Sequence, residues 1–237
     1  MNSRHFPYKH PTFGTVKNPK TPSHWKVSVY YWWYEYLKRN AEYRKTCLQE
    51  GKGKYSKTYE HFGDVTSLDF KAWWTDNNRG AVLFADPPAP AIRVLSTKDG
   101  EETPLKRDNV LILEVPMDLP INFLMKNFRK IVSKRHAGKR GKRQGASSKA
   151  LFQAKGKIDV PFLEIALTCW DARNSDPKKP LWQIGQEIGI GGENRIKQSD
   201  TAAAITDKKN ILGATVSRYI RKATRMIHQT GEGRFPH

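Results

Sequence analysis

The chain has 237 residues, 38% of them hydrophobic and 11% aromatic, and a formal net charge of +19. That apolar content can build a core and argues against wholesale disorder. No stretch approaches the ~20 apolar residues of a membrane span, and Cys47 and Cys169 stand too isolated for a disulfide framework or a Cys-rich zinc site.

The positive charge is unevenly spread. Leu119–Ile158 holds twelve Lys or Arg and no acid, residues 1–34 hold five and none, and residues 208–229 hold six and none. Residues 35–118 are close to neutral. Charge at this density repels itself unless a polyanion answers it, and nucleic acid is the expected answer. The opening residues lack the apolar run of a secretory leader, so a cytoplasmic location with no membrane partner is expected.

In chain order, residues 1–24 read as an extended basic and aromatic arm, tied down by Phe6, Tyr8 and Phe13. From Trp25 to about Gln49 the pattern is helical, with Tyr30, Trp33, Tyr34 and Leu37 on one stripe and Gly51-Lys52-Gly53 as the stop. Further helices are expected at Ser56–Phe62 and, capped by Ser67, up to Thr75. After a turn at Asn77–Gly80, the short apolar runs Ala81–Ala85, Ile92–Ser96 and Val110–Val115 read as strands of a small sheet. Asp118 is then expected to cap an amphipathic helix, with Ile121, Leu124, Met125, Phe128, Ile131 and Val132 on one face and Lys126, Arg129, Lys130 and Lys134 on the other.

That helix runs out at His136-Ala137-Gly138, and Lys139–Lys149 has the composition of a cationic linker. Helices follow at Val160–Ala172, Leu181–Ile188 and Ile211–Gln229. The expected fold class is α+β: an extended arm over 1–24, a mixed N-terminal domain with a small sheet and several helices over 25–136, a basic flexible linker over 137–157, and an all-α C-terminal domain over 158–237.

Two segments of the C-terminal part, Leu181-Trp182-Gln183-Ile184-Gly185-Gln186-Glu187-Ile188-Gly189-Ile190 and Thr215-Val216-Ser217-Arg218-Tyr219-Ile220-Arg221-Lys222-Ala223, together resemble the helix-turn-helix of bacterial DNA-binding proteins. The resemblance spans about residues 160–229. It implies a recognition helix that reads bases with Thr215, Ser217, Arg218 and Arg221, while Lys222 and Arg225 meet the backbone. One departure is plain: residues 191–210, with a short helical candidate of their own at Thr201–Ile205 capped by Asp200, intervene where the family uses a turn of ~3–4 residues. Helix periodicity independently puts Leu212, Val216, Ile220, Ala223 and Ile227 on one face of the last helix and its arginines on the opposite one. Lys134, Arg135, Lys139, Arg140, Lys142 and Arg143 are expected to track phosphates without reading sequence.

Catalytic signals are thin. The seven histidines show no metal-ligand spacing, and no Gly-rich phosphate loop with a following Lys-Ser/Thr is present. Asp64, Asp69 and Asp76 suit capping positions better than a nuclease centre. Aromatics Tyr30–Tyr34 and Trp73-Trp74 read as core rather than as a base-stacking platform, with Tyr31 and Trp32 furthest off the stripe. Cys169 reads as a small core residue.

The expectation is therefore a non-enzymatic nucleic-acid-binding protein without metal or cofactor, with duplex DNA the favoured partner. Transcription regulation or a mobile element is the implied setting, and the N-terminal domain would supply a protein partner surface or self-association. The alternatives are an RNA- or single-strand-binding subunit of a larger nucleoprotein complex, and a metal-dependent nuclease or recombinase component.

Overall fold

Residues 5–87, 111, 113, 115–135, 148–156 and 158–236 are described by a computed structural model. The chain divides into two compact units, one formed by Met1–Ala89 with Arg143–His237 and the other by Pro90–Lys142. The first unit thus joins segments that the sequence assigns to separate N- and C-terminal domains, and a single aromatic core runs through both.

Its helices follow from their caps. The helical stretch expected over 25–49 is three helices, α1 (Ser23–Lys26), α2 (Val29–Lys38) and α3 (Ala41–Leu48). The breaks fall at Ser28 and Asn40, which adopt extended backbone and cap the following helices through their side chains, accepting from the Tyr30 and Tyr43 amides. Next come α4 (Ser56–Phe62) and α5 (Phe70–Thr75). The cap of α5 is Asp69, not Ser67, its carboxylate accepting from the Ala72 amide at 2.8 Å.

The expected sheet is overturned: among the described residues there is no strand, only isolated bridges at His5–Asp86, Gly14–Pro19 and Ala154–Phe235. The run read as a strand over 81–85 belongs mostly to a helix, α6 (Arg79–Phe84). A short apolar run has no period of its own to separate strand from buried helix. Here the helical spacing wins, because Gly80, Leu83 and Phe84 turn inward together while Val82 points to solvent. Residues 92–96 lie outside the described residues, and of 110–115 only 111, 113 and 115 are described, none in a strand. The fold is helical where an α+β domain was expected.

In the second unit, α7 (Ile121–Arg135) is the expected amphipathic helix, and none of its side chains is buried. The later part of the first unit, described from Ser148, adds α8 (Val160–Ser175), capped by Asp159, α9 (Leu181–Ile188) and α10 (Ala202–Gly231). At 30 residues, α10 is about 45 Å long.

The core is built from rings. Trp33, Phe62, Phe84 and Phe235 are fully buried; Trp33 meets the other three rings and Phe62 meets Phe84, with centroids 5.3–6.0 Å apart. Each such side chain buries roughly 150–250 Å², so at about 25 cal/mol per Å² one ring outweighs an exposed ion pair worth about 1 kcal/mol or less. Polar bonds fix the register between early and late segments. The Tyr36 hydroxyl donates to the Leu163 carbonyl at 2.9 Å, and Arg39 pairs with Glu35 on its own helix and with Asp171 on α8, each at 2.7 Å. Asn40, which caps α3, also donates to the Ile227 carbonyl of α10 at 2.8 Å, and Thr58 donates to the Gly231 carbonyl at 2.7 Å.

Asp86 closes the base of the first unit. Its carboxylate accepts from the Ser148 hydroxyl and the Lys149 amide at 2.7 Å, from the Ala150 amide at 3.1 Å, and lies 3.0 Å from His5 Nδ1. One side chain thus ties the N-terminal arm, the end of the α6 segment and the returning chain. Burial opposes its charge, but the bonds from Ser148, His5, Lys149 and Ala150 outweigh that and hold the carboxyl below the usual Asp range. A depressed folded value contributes stability that is present above the unfolded pKa of about 4 and lost as pH falls through the folded value. Asp86→Asn should therefore cost about 1–3 kcal/mol of stability at pH 7, read as a lower denaturant midpoint. It should also shrink the loss of stability that wild type shows below about pH 4; parallel acid limbs for the two proteins would refute the assignment.

Two glycines shape the join between α9 and α10. Gly191 has a φ of +105°, and a Cβ there would lie 2.6 Å from Leu212 Cδ2, whereas Gly189 at +80° has open space. Both substitutions by Ala incur left-handed strain of about 1–3 kcal/mol. Only Gly191→Ala adds a clash, so it should unfold at lower denaturant than Gly189→Ala.

Candidate nucleic-acid interface

The Ile-Gly-x-x-Ile-Gly segment has a local physical reason. Gly185 lies inside α9 where it meets α10, and a Cβ there would sit 3.1 Å from Val216 Cγ2. Gly189 ends the helix in the left-handed conformation that glycine adopts most readily, with its own amide and that of Ile190 both donating to the Gly185 carbonyl at 3.1 Å. Ile184, Ile190, Val216 and Cys169 close a small second core between α8, α9 and α10. Cys169 is fully buried, as its sequence context suggests, and burial pushes its thiol up to about 11.

Residues 189–201 join α9 to α10, and α10 begins well before the expected Ile211. Thr201 caps it, accepting from the Ala204 amide at 3.3 Å. Asp200 instead takes the Lys208 ammonium at 2.7 Å, and Lys208 also donates to the Arg195 carbonyl. The candidate readers, placed by the resemblance near the start of a recognition helix, lie around and beyond the midpoint of one continuous helix.

The acid-free stretch 208–229 consequently splits in two. At its start Lys208 is neutralised by Asp200, and the Lys209 ammonium lies 4.6 Å from the ring centroid of Trp182. Further along, Arg218, Arg221, Lys222 and Arg225 are all exposed, while Thr215 and Ser217 are half-buried. Arg218 and Arg221 make no ion pair with any described residue. Arg218 and Arg225 are two helical turns apart, about 10 Å along the axis, which matches roughly three base-pair steps of duplex. The stripe beneath them, Leu212, Val216, Ala223, Met226 and Ile227, is buried.

Beside this face, Lys222 and Arg225 share an open cleft of about 310 Å³ with Lys155, Phe162 and the N-terminal end of α8. The Lys222 ammonium lies 5.0 Å from the Phe162 ring centroid. One hint of this neighbourhood is legible in the sequence, since Lys155 belongs to the acid-free run 119–158. Phe162 carries no such signal, because only the packing of α8 on α10 brings it there.

The other candidates fall elsewhere. Lys134 and Arg135 are exposed in the last turn of α7, where cations also suit the negative end of the helix dipole. Lys139, Arg140, Lys142 and Arg143 lie outside the described residues. Asp64 accepts from the Thr66 amide and hydroxyl, Asp69 caps α5, and Asp76 pairs with Arg79. No group of three or more His, Cys, Asp or Glu suited to a metal ion occurs among the described residues. Trp32 is buried with its Nε1 donating to the Lys26 carbonyl, and half-buried Tyr31 packs edge-on against Phe70, so the aromatic cluster is core. No described helix is long and apolar enough to cross a membrane. No protein-family model, no curated protein and no solved structure matches this chain.

Proposed function

We propose that this protein binds nucleic acid, with duplex DNA as the preferred form, through the exposed cationic face of α10. The observation that carries the reading is the order of that face: Arg218 and Arg221 stand exposed and, among the described residues, without acidic partners, on a helix whose opposite stripe is locked into the core. An α-helix fits a major groove about 12 Å wide, and arginine bonds guanine edges there in bidentate fashion. Lys222 and Arg225 lie where backbone phosphates would pass, and Thr215 and Ser217 flank the arginines. The basic residues from Lys134 to Lys149 add affinity that depends on charge alone. A role in transcription or in a mobile element fits this reading, and the resemblance to helix-turn-helix proteins supports it.

Fluorescence anisotropy with duplex DNA, single-stranded DNA and RNA at several salt concentrations tests the reading. Duplex should bind most tightly. Arg218→Ala should weaken binding to a preferred site by about 1–3 kcal/mol and relax its specificity. The reading fails if single strands or RNA outcompete duplex throughout, or if Arg218→Ala with Arg221→Ala leaves duplex affinity unchanged.

A separate prediction addresses the basic run. Neutralising Lys139, Arg140, Lys142 and Arg143 together should flatten the salt dependence of binding by roughly one unit per lost phosphate contact. Sequence preference should stay as it was, and a changed preference would mean that these residues read bases.

A further inference from the structure

The cleft beside the arginine face sets an apolar floor, which duplex contact leaves unused, beside cations that also serve the phosphate edge of that face. Its floor is apolar, with Leu163 and Met226 buried and the half-buried Phe162 presenting its ring. Its rim is cationic, formed by Lys155, Lys222 and Arg225. The acid that lines it, Asp159, is engaged as the cap of α8, with Oδ1 accepting from the Phe162 amide at 3.2 Å. An inorganic anion would leave the floor unfilled, and a neutral apolar ligand would leave the rim unanswered. The complement is a flat apolar body carrying an anion a few ångströms away.

A paired nucleotide cannot present that combination, because its base lies inside the stack. An unpaired one can. The volume of about 310 Å³ stands at the small end of ligand pockets, roughly 300–1,000 Å³, and suits one nucleotide rather than several. An aromatic ring beside cations is also the combination by which single strands are held generally, the ring stacking on a base and the cations following the backbone. The Lys222 ammonium now over Phe162 is exposed, so it can swing from the ring to a phosphate when a base arrives.

We propose that this cleft receives one unstacked nucleotide of the bound nucleic acid, its base on Phe162 and its phosphate among Lys155, Lys222 and Arg225. The assignment rests on the nucleic-acid reading above, and it makes the preferred ligand a duplex carrying an unpaired position rather than a fully paired one.

The test compares fully paired DNA with the same duplex carrying one unpaired 2-aminopurine nucleotide, and adds free 2-aminopurine deoxynucleoside monophosphate as a third probe. Wild type should bind the unpaired form roughly tenfold more tightly, the order expected of one base stacked on an aromatic ring. It should also quench the probe's fluorescence at saturation. Phe162→Leu keeps the apolar bulk but removes the ring, and should abolish both the quench and the preference. Lys155→Ala, at an exposed position that leaves the fold undisturbed, should reduce the preference as well. Equal affinity of wild type for the two duplexes, with paired DNA still bound, overturns the cleft assignment alone. Saturable binding of the free nucleotide without any preference for the unpaired duplex overturns it too, and assigns the cleft to a small-molecule nucleotide. Failure of wild type to bind any of the DNA forms at low salt overturns the nucleic-acid reading, and the cleft with it.

Discussion

The packing of α10 fixes the rest of the first unit. Its buried stripe meets α9 through Leu212 and Val216, and joins the main aromatic core through Ala223, Met226 and Ile227. A helix held along one stripe has its rotation about its own axis set, so the opposite residues are committed to solvent. Arg218, Arg221 and Arg225 point outward for that reason, and no local preference of arginine is needed to explain it. The polar bonds from Asn40 and Thr58 then fix the far end, because each occupies a carbonyl in the last turns of α10. Position along the axis and rotation about it are thereby set by different segments of the chain.

That division of labour explains why the aromatic-rich early segment belongs to the same unit as the late helices. Its rings supply the burial that a bundle of α8, α9 and α10 alone would lack. The small second core between those three helices centres on Cys169, Ile184, Ile190 and Val216, none of them a large ring. Phe235, near the end of the chain, lies against Trp33 and Tyr36 of α2 and is fully buried. The early segment therefore acts as the platform on which the cationic helix is mounted.

Periodicity made some of this legible and misled elsewhere. The bounds of α4 and α9, the stripe on α10 and the burial of Tyr30, Trp33, Tyr34 and Leu37 could be read because long-range packing reinforced the local pattern. The run at 81–85 could not, since its direction depends on Gly80 lying beneath the Trp74 ring, where a Cβ would approach to 2.2 Å. The early start of α10 was hidden for a different reason. Its first residues, Ala202–Ile205, read as a short helix of their own, because the polar run Thr206–Asn210 carries no apolar stripe that would join them to Leu212. Once Thr201 caps the end and Lys208 is anchored to Asp200, each further residue adds a backbone bond at little cost. At the candidate interface, the exposed arginines were legible from helix geometry. The cleft was not, because Lys155, Phe162 and Lys222 are distant in sequence and meet only in the packed molecule.

The surplus of positive charge has different physical content in different places. A run such as 139–149 attracts a polyanion through its density whatever its conformation, and counterion release makes that attraction salt-dependent and indifferent to sequence. Cations fixed on a helix are different, since their spacing is set by the backbone and can match or mismatch what they meet. Lys208 and Lys209 show that even on one helix the two classes must be separated. Both add to the count, yet Asp200 holds one and the other lies over Trp182. On the proposed reading, preference for base sequence must therefore come from the few cations whose positions are fixed and whose charge is unanswered within the fold. Arg218 and Arg221 meet both conditions among the described residues, which is why discrimination between ligands should be sought there and not in the larger excess of charge.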